Sequence, residues 1–327
     1  MDISSAERIL SPAAKKYDST MSGLNHGQIA ETSPRFNDAG NPAGSVNILR
    51  QLADEAKRRV AMAKREHPLE EVRERALALG ADRSLATGFP FEQALSGKRA
   101  VSSKVAPENR EGAKTDSIHF ICECKKASPS KGLIAPEFPY LSIAKEYERA
   151  GAACISVLTE PKWFLGKDVY LKEIASEVDV PCIRKDFTVD EYMIYEAKLV
   201  GAAAVLLICA LLDVDTMKRY IAICDRLGLS ALVEAHNEAE VKMAAAAGAR
   251  IIGVNNRNLR DFTVDIHNSE RLKRFTPEGT LFVAESGIRT AEDVQVLRDS
   301  GVSGILIGEQ LMRAENKVEE LRRLRGR

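Results

Sequence analysis

From about residue 118 onward the chain repeats one pattern: an amphipathic stretch, a glycine, then a short apolar run rich in β-branched residues. Gly151 precedes Cys154–Leu158, Gly201 precedes Val205–Ile208, Gly248 precedes Ile251–Val254 and Gly301 precedes Ile305–Ile307. These glycines stand 50, 47 and 53 residues apart. Further short apolar runs lie between them, at Val180–Ile183, Leu229–Val233 and Leu281–Ala284. With the run at 119–124 they make eight strands, spaced about 25 residues apart with helical segments between. Leu141, Ala144, Tyr147 and Ala150 carry the helical spacing in one such segment. Strands alternating with helices argue for a parallel sheet, and eight units in about 200 residues suit a closed (β/α)8 TIM barrel. The competing topology is a doubly wound open sheet. No Gly-x-Gly-x-x-Gly follows the first strand to support it.

Ahead of the repeat, Leu49, Ala53, Ala56, Val60 and Ala63 recur at steps of four and three, which predicts an amphipathic helix. Pro68 opens a second helix with the stripe Leu69, Val72, Ala76 and Leu79, and Gly80 is expected to cap its C-terminus. Residues 1–45 are rich in Ser, Asn, Gly and Ala without a sustained period, so a flexible leader is expected there. The expected organisation is this leader followed by a single (β/α)8 domain over 46–327, including the N-terminal helices at 47–80.

Charge and cysteine usage narrow the class. Lys+Arg and Asp+Glu each number 47, so there is no bulk field to attract nucleic acid or an anionic membrane. The basic end (Arg322, Arg323, Arg325, Arg327) is short and spaced like a solvated helix face. The longest apolar run, Ala202–Leu212, has 11 residues, too few to span a bilayer. The first 20 residues lack the apolar core of a signal peptide. Six cysteines, at 122, 124, 154, 182, 209 and 224, lie in apolar stretches without a Cys-x-x-Cys. They read as reduced, buried thiols of a cytoplasmic protein rather than metal ligands. No metal site is expected, and the oligomeric state stays open.

The chemistry gathers where strands end. Active sites of such barrels form at the C-terminal ends of the strands. Strand 1 ends in Glu123 and Lys125, two apart and therefore on one face, with Cys122 and Cys124 on the other. Strand 2 ends in Thr159 and Glu160, strand 3 in Lys185 and Asp186, strand 5 in Glu234, strand 6 in Asn255 and Asn256 followed by Arg257, and strand 7 in Glu285 and Ser286. Strand 4 instead stays apolar, and by alternation Leu206 and Ile208 face inward as a wall. Each charge alone could be a solvated rim residue. Three carboxylates (Glu123, Glu234, Glu285) and two ammoniums (Lys125, Lys185) converging on one cavity are costly unless they do chemistry. Glu-Ser-Gly-Ile at 285–288 and Ile-Gly-Glu at 307–309 place small residues where backbone N–H groups can cradle a phosphate. A phosphorylated small molecule with an aromatic or aliphatic part fits this mouth.

The motifs Glu-Cys-Lys-Lys-Ala-Ser-Pro-Ser-Lys-Gly (123–132), Ser-Val-Leu-Thr-Glu (156–160) and Arg-Lys-Asp-Phe (184–187) resemble successive motifs of indole-3-glycerol-phosphate synthase. So do Ala-Leu-Val-Glu (231–234), Gly-Val-Asn-Asn-Arg-Asn-Leu (253–259), Ala-Glu-Ser-Gly-Ile (284–288) and Leu-Ile-Gly-Glu (306–309). The resemblance covers about residues 46–320 and implies a cofactor-free, metal-free lyase of tryptophan biosynthesis. That activity turns 1-(2-carboxyphenylamino)-1-deoxyribulose 5-phosphate into indole-3-glycerol phosphate, carbon dioxide and water. It implies Lys185 as general acid with Lys125 assisting, Glu123 and Glu234 for the other proton transfers, and Asn255 and Glu285 as orienting groups. It also implies substrate contacts at Ser128, Phe164, Phe187 and Arg257, and a phosphate site at Ser286, Gly287, Gly308 and Glu309, with Lys125 contacting the substrate's carboxylate or its phosphate. The helix at 47–66 resembles an extension lying over the barrel mouth. The related phosphoribosylanthranilate isomerase typically uses a Cys/Asp pair, whereas the strand 1 cysteines here face outward. A non-catalytic sensor of phosphorylated ligands would not need the Lys/Glu-rich mouth.

Overall fold

The structure is a computed structural model that describes residues 48–81, 88–99, 104, 117–258 and 262–326. The leader expected at 1–45 lies outside the described residues.

Eight parallel strands close into a barrel: β1 (His119–Cys124), β2 (Cys154–Leu158), β3 (Cys182–Lys185), β4 (Ala204–Ile208), β5 (Ser230–Ala235), β6 (Ile251–Asn255), β7 (Leu281–Glu285) and β8 (Gly304–Ile307). Each pairs with its sequence neighbours, and β8 closes the ring on β1, with His119 opposite Gly304 and Cys122 opposite Ile307. The strands are apolar on both faces because helices cover the outside and side chains fill the inside. That is why they read as continuous runs instead of alternating ones.

The helices are α1 (Ile48–Glu66), α2 (Leu69–Ala81), α3 (Pro90–Leu95), α4 (Tyr140–Arg149), α5 (Asp168–Glu177), α6 (Glu191–Leu199), α7 (Val214–Leu227), α8 (Glu238–Ala246), α9 (His267–Lys273), α10 (Ala291–Asp299), α11 (Glu309–Arg313) and α12 (Lys317–Leu324). The punctuation that made the repeat visible is physical. Gly151, Gly201, Gly248 and Gly301 all have φ between 71° and 86°, the left-handed turn that ends a helix and feeds the next strand. Several helix starts are capped by side chains. Asp213 Oδ1 accepts from Thr216 N at 2.7 Å and Asn237 Oδ1 from Glu240 N at 3.0 Å, and Thr290 forms a capping box with Asp293. Each such cap contributes about 1 kcal/mol.

Three expectations need correction. Gly80 lies inside α2 and does not cap it. A Cβ there would stand 3.2 Å from Arg226 O and 3.3 Å from Leu227 Cα, so the glycine permits close packing of α2 on α7. The third strand starts two residues later than read and runs to Lys185. The apolar Val180 and Pro181 belong to the approach, where Pro181 offers only its carbonyl, accepting from Ile155 N. α3 was not foreseen at all. It closes the N-terminal end of the barrel, burying Phe91 and Leu95, while Glu92 accepts from Arg250 at 3.0 Å and from Ser230 at 3.1 Å.

α1 does lie at the C-terminal mouth of the barrel. Its Ile48 and Leu52 line the cavity there, Arg59 pairs bidentately with Asp186 (2.7 and 3.1 Å) and Lys64 reaches Asp190 at 2.7 Å.

Candidate active site

A cavity of about 340 Å³ opens at the C-terminal ends of the strands. Every site residue named from the sequence lines it: Glu123, Lys125, Ser128, Phe164, Lys185, Phe187, Leu206, Ile208, Glu234, Asn255, Arg257, Glu285, Ser286, Gly287, Gly308 and Glu309. The ladder explains part of this convergence. Ile208 is registered with Glu234 and Asn255 with Glu285, so the ladder sets the apolar wall beside one carboxylate and the amide beside another.

The charged groups form two clusters. Lys125 Nζ lies 2.6 Å from Glu123 Oε2, and Ser156 Oγ donates to Glu123 Oε1 at 3.3 Å. Lys185 Nζ lies 3.0 Å from Glu285 Oε2 and 3.7 Å from Glu234 Oε2. β3 and β7 stand opposite each other in the eight-strand ring, so the Lys185–Glu285 contact is a strut across the barrel mouth. Glycines make room for these groups. A Cβ on Gly253 would collide with Glu285 Oε1, and one on Gly308 would collide with Glu123 Oε2 and stand 2.9 Å from Lys125 Nζ.

Burial and neighbours set the protonation. Desolvation pulls the Lys185 ammonium down, but Glu285, Glu234 and Glu123 outweigh it and hold its pKa well above the usual lysine value. Glu285 is pushed up to about 7, by burial first; the pull of Lys185 is offset in part by repulsion from Glu234 and Glu123. Its Oε1 has no hydrogen-bond partner among the described residues. Glu234, against the upward push of burial, is held down to about 2 by His236, Lys185 and Asn255. Glu123 is likewise lowered despite its burial, through Lys125 and Lys185.

The rim at the ends of β7 and β8 suits an anion. Ser286 and Gly287 follow β7 with φ of 68° and 87°, a turn that a Cβ on Gly287 would block by striking Val264. Asn256 Nδ2 donates to Ser286 O at 3.1 Å and fixes this unusual backbone. Gly308 leads into α11, whose first-turn N–H groups have no partners within the helix. Arg257, Arg289 and Arg313 line the same region. The Arg257 guanidinium is lowered by burial and by Arg289; Glu309 offsets this only in part.

Some strand-end residues serve the scaffold. Thr159 donates to Asp186 Oδ2 at 2.8 Å, and Glu160 accepts from the N–H groups of Lys162, Trp163 and Phe164, shaping the loop that carries Phe164. Asp186 ties α1 down through Arg59. Sequence reasoning missed Arg289 and Arg313, which sit on loops and helices without a strand-end signal. It also missed His236, two residues beyond Glu234. Its spacing from that glutamate was the available clue.

The family model described as Indole-3-glycerol phosphate synthase matches residues 49–324. An indole-3-glycerol phosphate synthase of Ruminiclostridium cellulolyticum is 58% identical over 238 residues, 73% of this chain and 91% of that protein. One from Lachnoclostridium phytofermentans is 47% identical over 278 residues, 85% of this chain and 98% of that protein. Among solved structures, 3-hexulose-6-phosphate synthase from Salmonella typhimurium superposes with a TM-score of 0.53 at 15% identity. It covers 63% of this chain and 96% of its own, a likeness of fold alone. A closed barrel with a Lys/Glu-lined mouth, matched over nearly all its described length by one family, leaves a single assignment: the chain belongs to the indole-3-glycerol phosphate synthase family.

Proposed function

We propose that this cavity converts 1-(2-carboxyphenylamino)-1-deoxyribulose 5-phosphate to indole-3-glycerol phosphate, carbon dioxide and water, with Lys185 as the general acid of ring closure. The observation that carries the reading is the Lys185–Glu285–Glu234 cluster, set between an anion-accepting rim and an apolar wall. β8 and β4 stand opposite each other in the ring. A phosphate held at Ser286, Gly287, Gly308 and the Glu309 N–H, with Arg257 beside it, therefore leaves the aromatic ring against Leu206, Ile208 and Phe187. Phe164, 6.0 Å from Phe187 between ring centroids, closes that side, and Ser128 borders it.

In ring closure the arene carbon bearing the carboxylate attacks the ketone carbon, and the ketone oxygen takes a proton from Lys185. Positive charge then develops at the aniline nitrogen, where the buried Glu123 and Glu234 carboxylates stabilise it. Carbon dioxide departs, and the electrons of its bond restore the ring. Loss of the new hydroxyl as water needs an acid, and removal of the remaining proton needs a base. Glu123 and Glu234 are the candidates, and both rest as carboxylates ready to act as base. The one that serves as acid must first take up a proton, which for Glu123 the Lys125 ammonium 2.6 Å away can supply. Asn255 orients Glu234 by a 3.4 Å hydrogen bond. Glu285, titrating at about 7 and 3.0 Å from Lys185, is suited to return the proton that Lys185 spends. Lys125 assists through Glu123 and the substrate's anionic groups. The six cysteines, all free and buried, fit a reducing cytoplasm.

The test is to supply the carboxyphenylamino-deoxyribulose phosphate and follow indole fluorescence with a metal chelator present. Turnover is expected; a folded protein that produces no indole product would overturn the reading.

A further inference from the structure

The His236 side chain is wedged between two carboxylates at the edge of the site. Its Nε2 lies 3.3 Å from Glu234 Oε1, and its Nδ1 lies 3.1 Å from Glu240 Oε2 on α8. Glu240 is fixed in turn. It accepts from His236 N at 2.8 Å and from Asn237 Nδ2 at 2.9 Å. Asn268 Nδ2, on α9, reaches His236 O at 3.4 Å. Nε2 is buried and lies off the line of a directed hydrogen bond, so its contact with Glu234 is one of charge.

We propose that His236 is a positioning residue for the reaction, which as an imidazolium clamped by Glu240 holds the Glu234 carboxylate in place beside Lys185. This rests on the reading of Glu234 given above. The buried cluster of Glu123, Glu234 and Glu285 sets three carboxylates against the Lys125 and Lys185 ammoniums, and a charged His236 adds a third cation to that cluster. The other groups facing this chain are Lys185 of β3, Asn255 of β6, Glu285 of β7 across Lys185, and the Cys209 thiol, which donates to Glu240 O at 3.5 Å. Of these only Lys185 is a cation, and it is shared with Glu285. Without His236, Glu234 would keep a single shared cation and the Asn255 amide. Burial opposes the charge on the ring, and Glu234 and Glu240 together overcome it, raising the imidazole to about 10.

The test begins with the unaltered protein. Ring ¹⁵N shifts of His236 should stay those of an imidazolium from pH 6 to pH 8; a ring that is neutral at pH 7.5 overturns the proposal. Turnover of His236→Gln should then fall about tenfold with KM changed less than twofold, because the residue is remote from the phosphate loops. Glu240→Gln should fall in the same direction, and the double variant no further than His236→Gln alone. A folded His236→Gln that turns over within twofold of the parent overturns the proposal even if its melting temperature drops. Glu234→Gln separates the two readings: if it keeps the parent rate, the role given to Glu234 fails first. If it is inactive while His236→Gln is unaffected, only the role of His236 fails.

Discussion

The Glu285 carboxyl is 2 % exposed and titrates at about 7, although Lys185 lies 3.0 Å away. Moving a carboxyl from an ordinary 4.5 to about 7, at about 1.4 kcal/mol per pH unit, makes its ionisation cost the folded protein about 3 kcal/mol more than the unfolded chain. The sign follows from proton counts. Between pH 4.5 and 7 the folded protein keeps a proton that the unfolded chain has released. The penalty is therefore absent below pH 4.5 and reaches its full size as pH rises through 7. Glu285→Gln imitates the protonated group at every pH. It should raise the stability of the protein by about 3 kcal/mol at pH 8 and by about 1 kcal/mol or less at pH 5. Turnover should fall by roughly 100-fold, because the amide cannot return a proton to Lys185. Urea unfolding midpoints at the two pH values and indole-fluorescence kinetics check both halves. A variant no more stable than its parent at pH 8, or stabilised equally at pH 5 and pH 8, would refute the desolvation argument. One with full turnover would remove Glu285 from the proton path.

Lys185→Ala should lower kcat by roughly 100-fold or more, the usual loss on removing a general acid; single-turnover indole formation measures it, and a near-parent rate would exclude Lys185. Arg257→Ala should chiefly raise KM, because the guanidinium faces the anion-accepting rim, and an unchanged KM in steady-state assays would contradict that contact. Arg59→Ala strands the buried Asp186 carboxylate and should cost roughly 3 kcal/mol, read as a drop in the urea midpoint. If stability holds, α1 is not anchored through this pair. A chain starting at residue 46 should keep its activity in the same fluorescence assay, since every site residue lies later; loss of activity would give the preceding segment a role.

How much of this was legible in advance depends on the range of the interaction. Helix-ending glycines, proline starts and apolar runs act within a few residues of themselves, so Gly151, Gly201, Gly248 and Gly301 announced the repeat directly. The same local logic misplaced Gly80, because what it accommodates is Leu227, far along the chain. α3 escaped notice for a related reason. Six residues are too short for a periodic signal, and Glu92 acquires its meaning from Ser230 at the start of β5 and Arg250 just ahead of β6, both far along the chain.

At the site, strand-end position and the two-residue alternation collected the buried Lys and Glu groups and the apolar wall, whereas Ser128, Phe164, Phe187 and Arg257 came from the resemblance and Arg289 and Arg313 were missed. The eight-fold closure does the rest, whatever the identities of the intervening helices. Protonation was another matter. Glu123, Glu234 and Glu285 are the same residue type at equivalent strand ends, yet Glu285 titrates at about 7 and Glu234 at about 2. Locally only Lys125 and His236, each two residues beyond its glutamate, set Glu123 and Glu234 apart from Glu285; the other partners stand on other strands. Lys185 is shared between Glu234 and Glu285, but only Glu234 gains His236 and Asn255 as well. The chain's own order of residues thus determined the barrel, its open end and the strand-end groups that face into it, because those follow from short-range backbone preferences repeated eight times. Which carboxyl holds a proton, and which strand ends serve the scaffold, was decided only by packing. Electrostatic energies in a buried site depend on distances across the barrel that sequence separation does not encode.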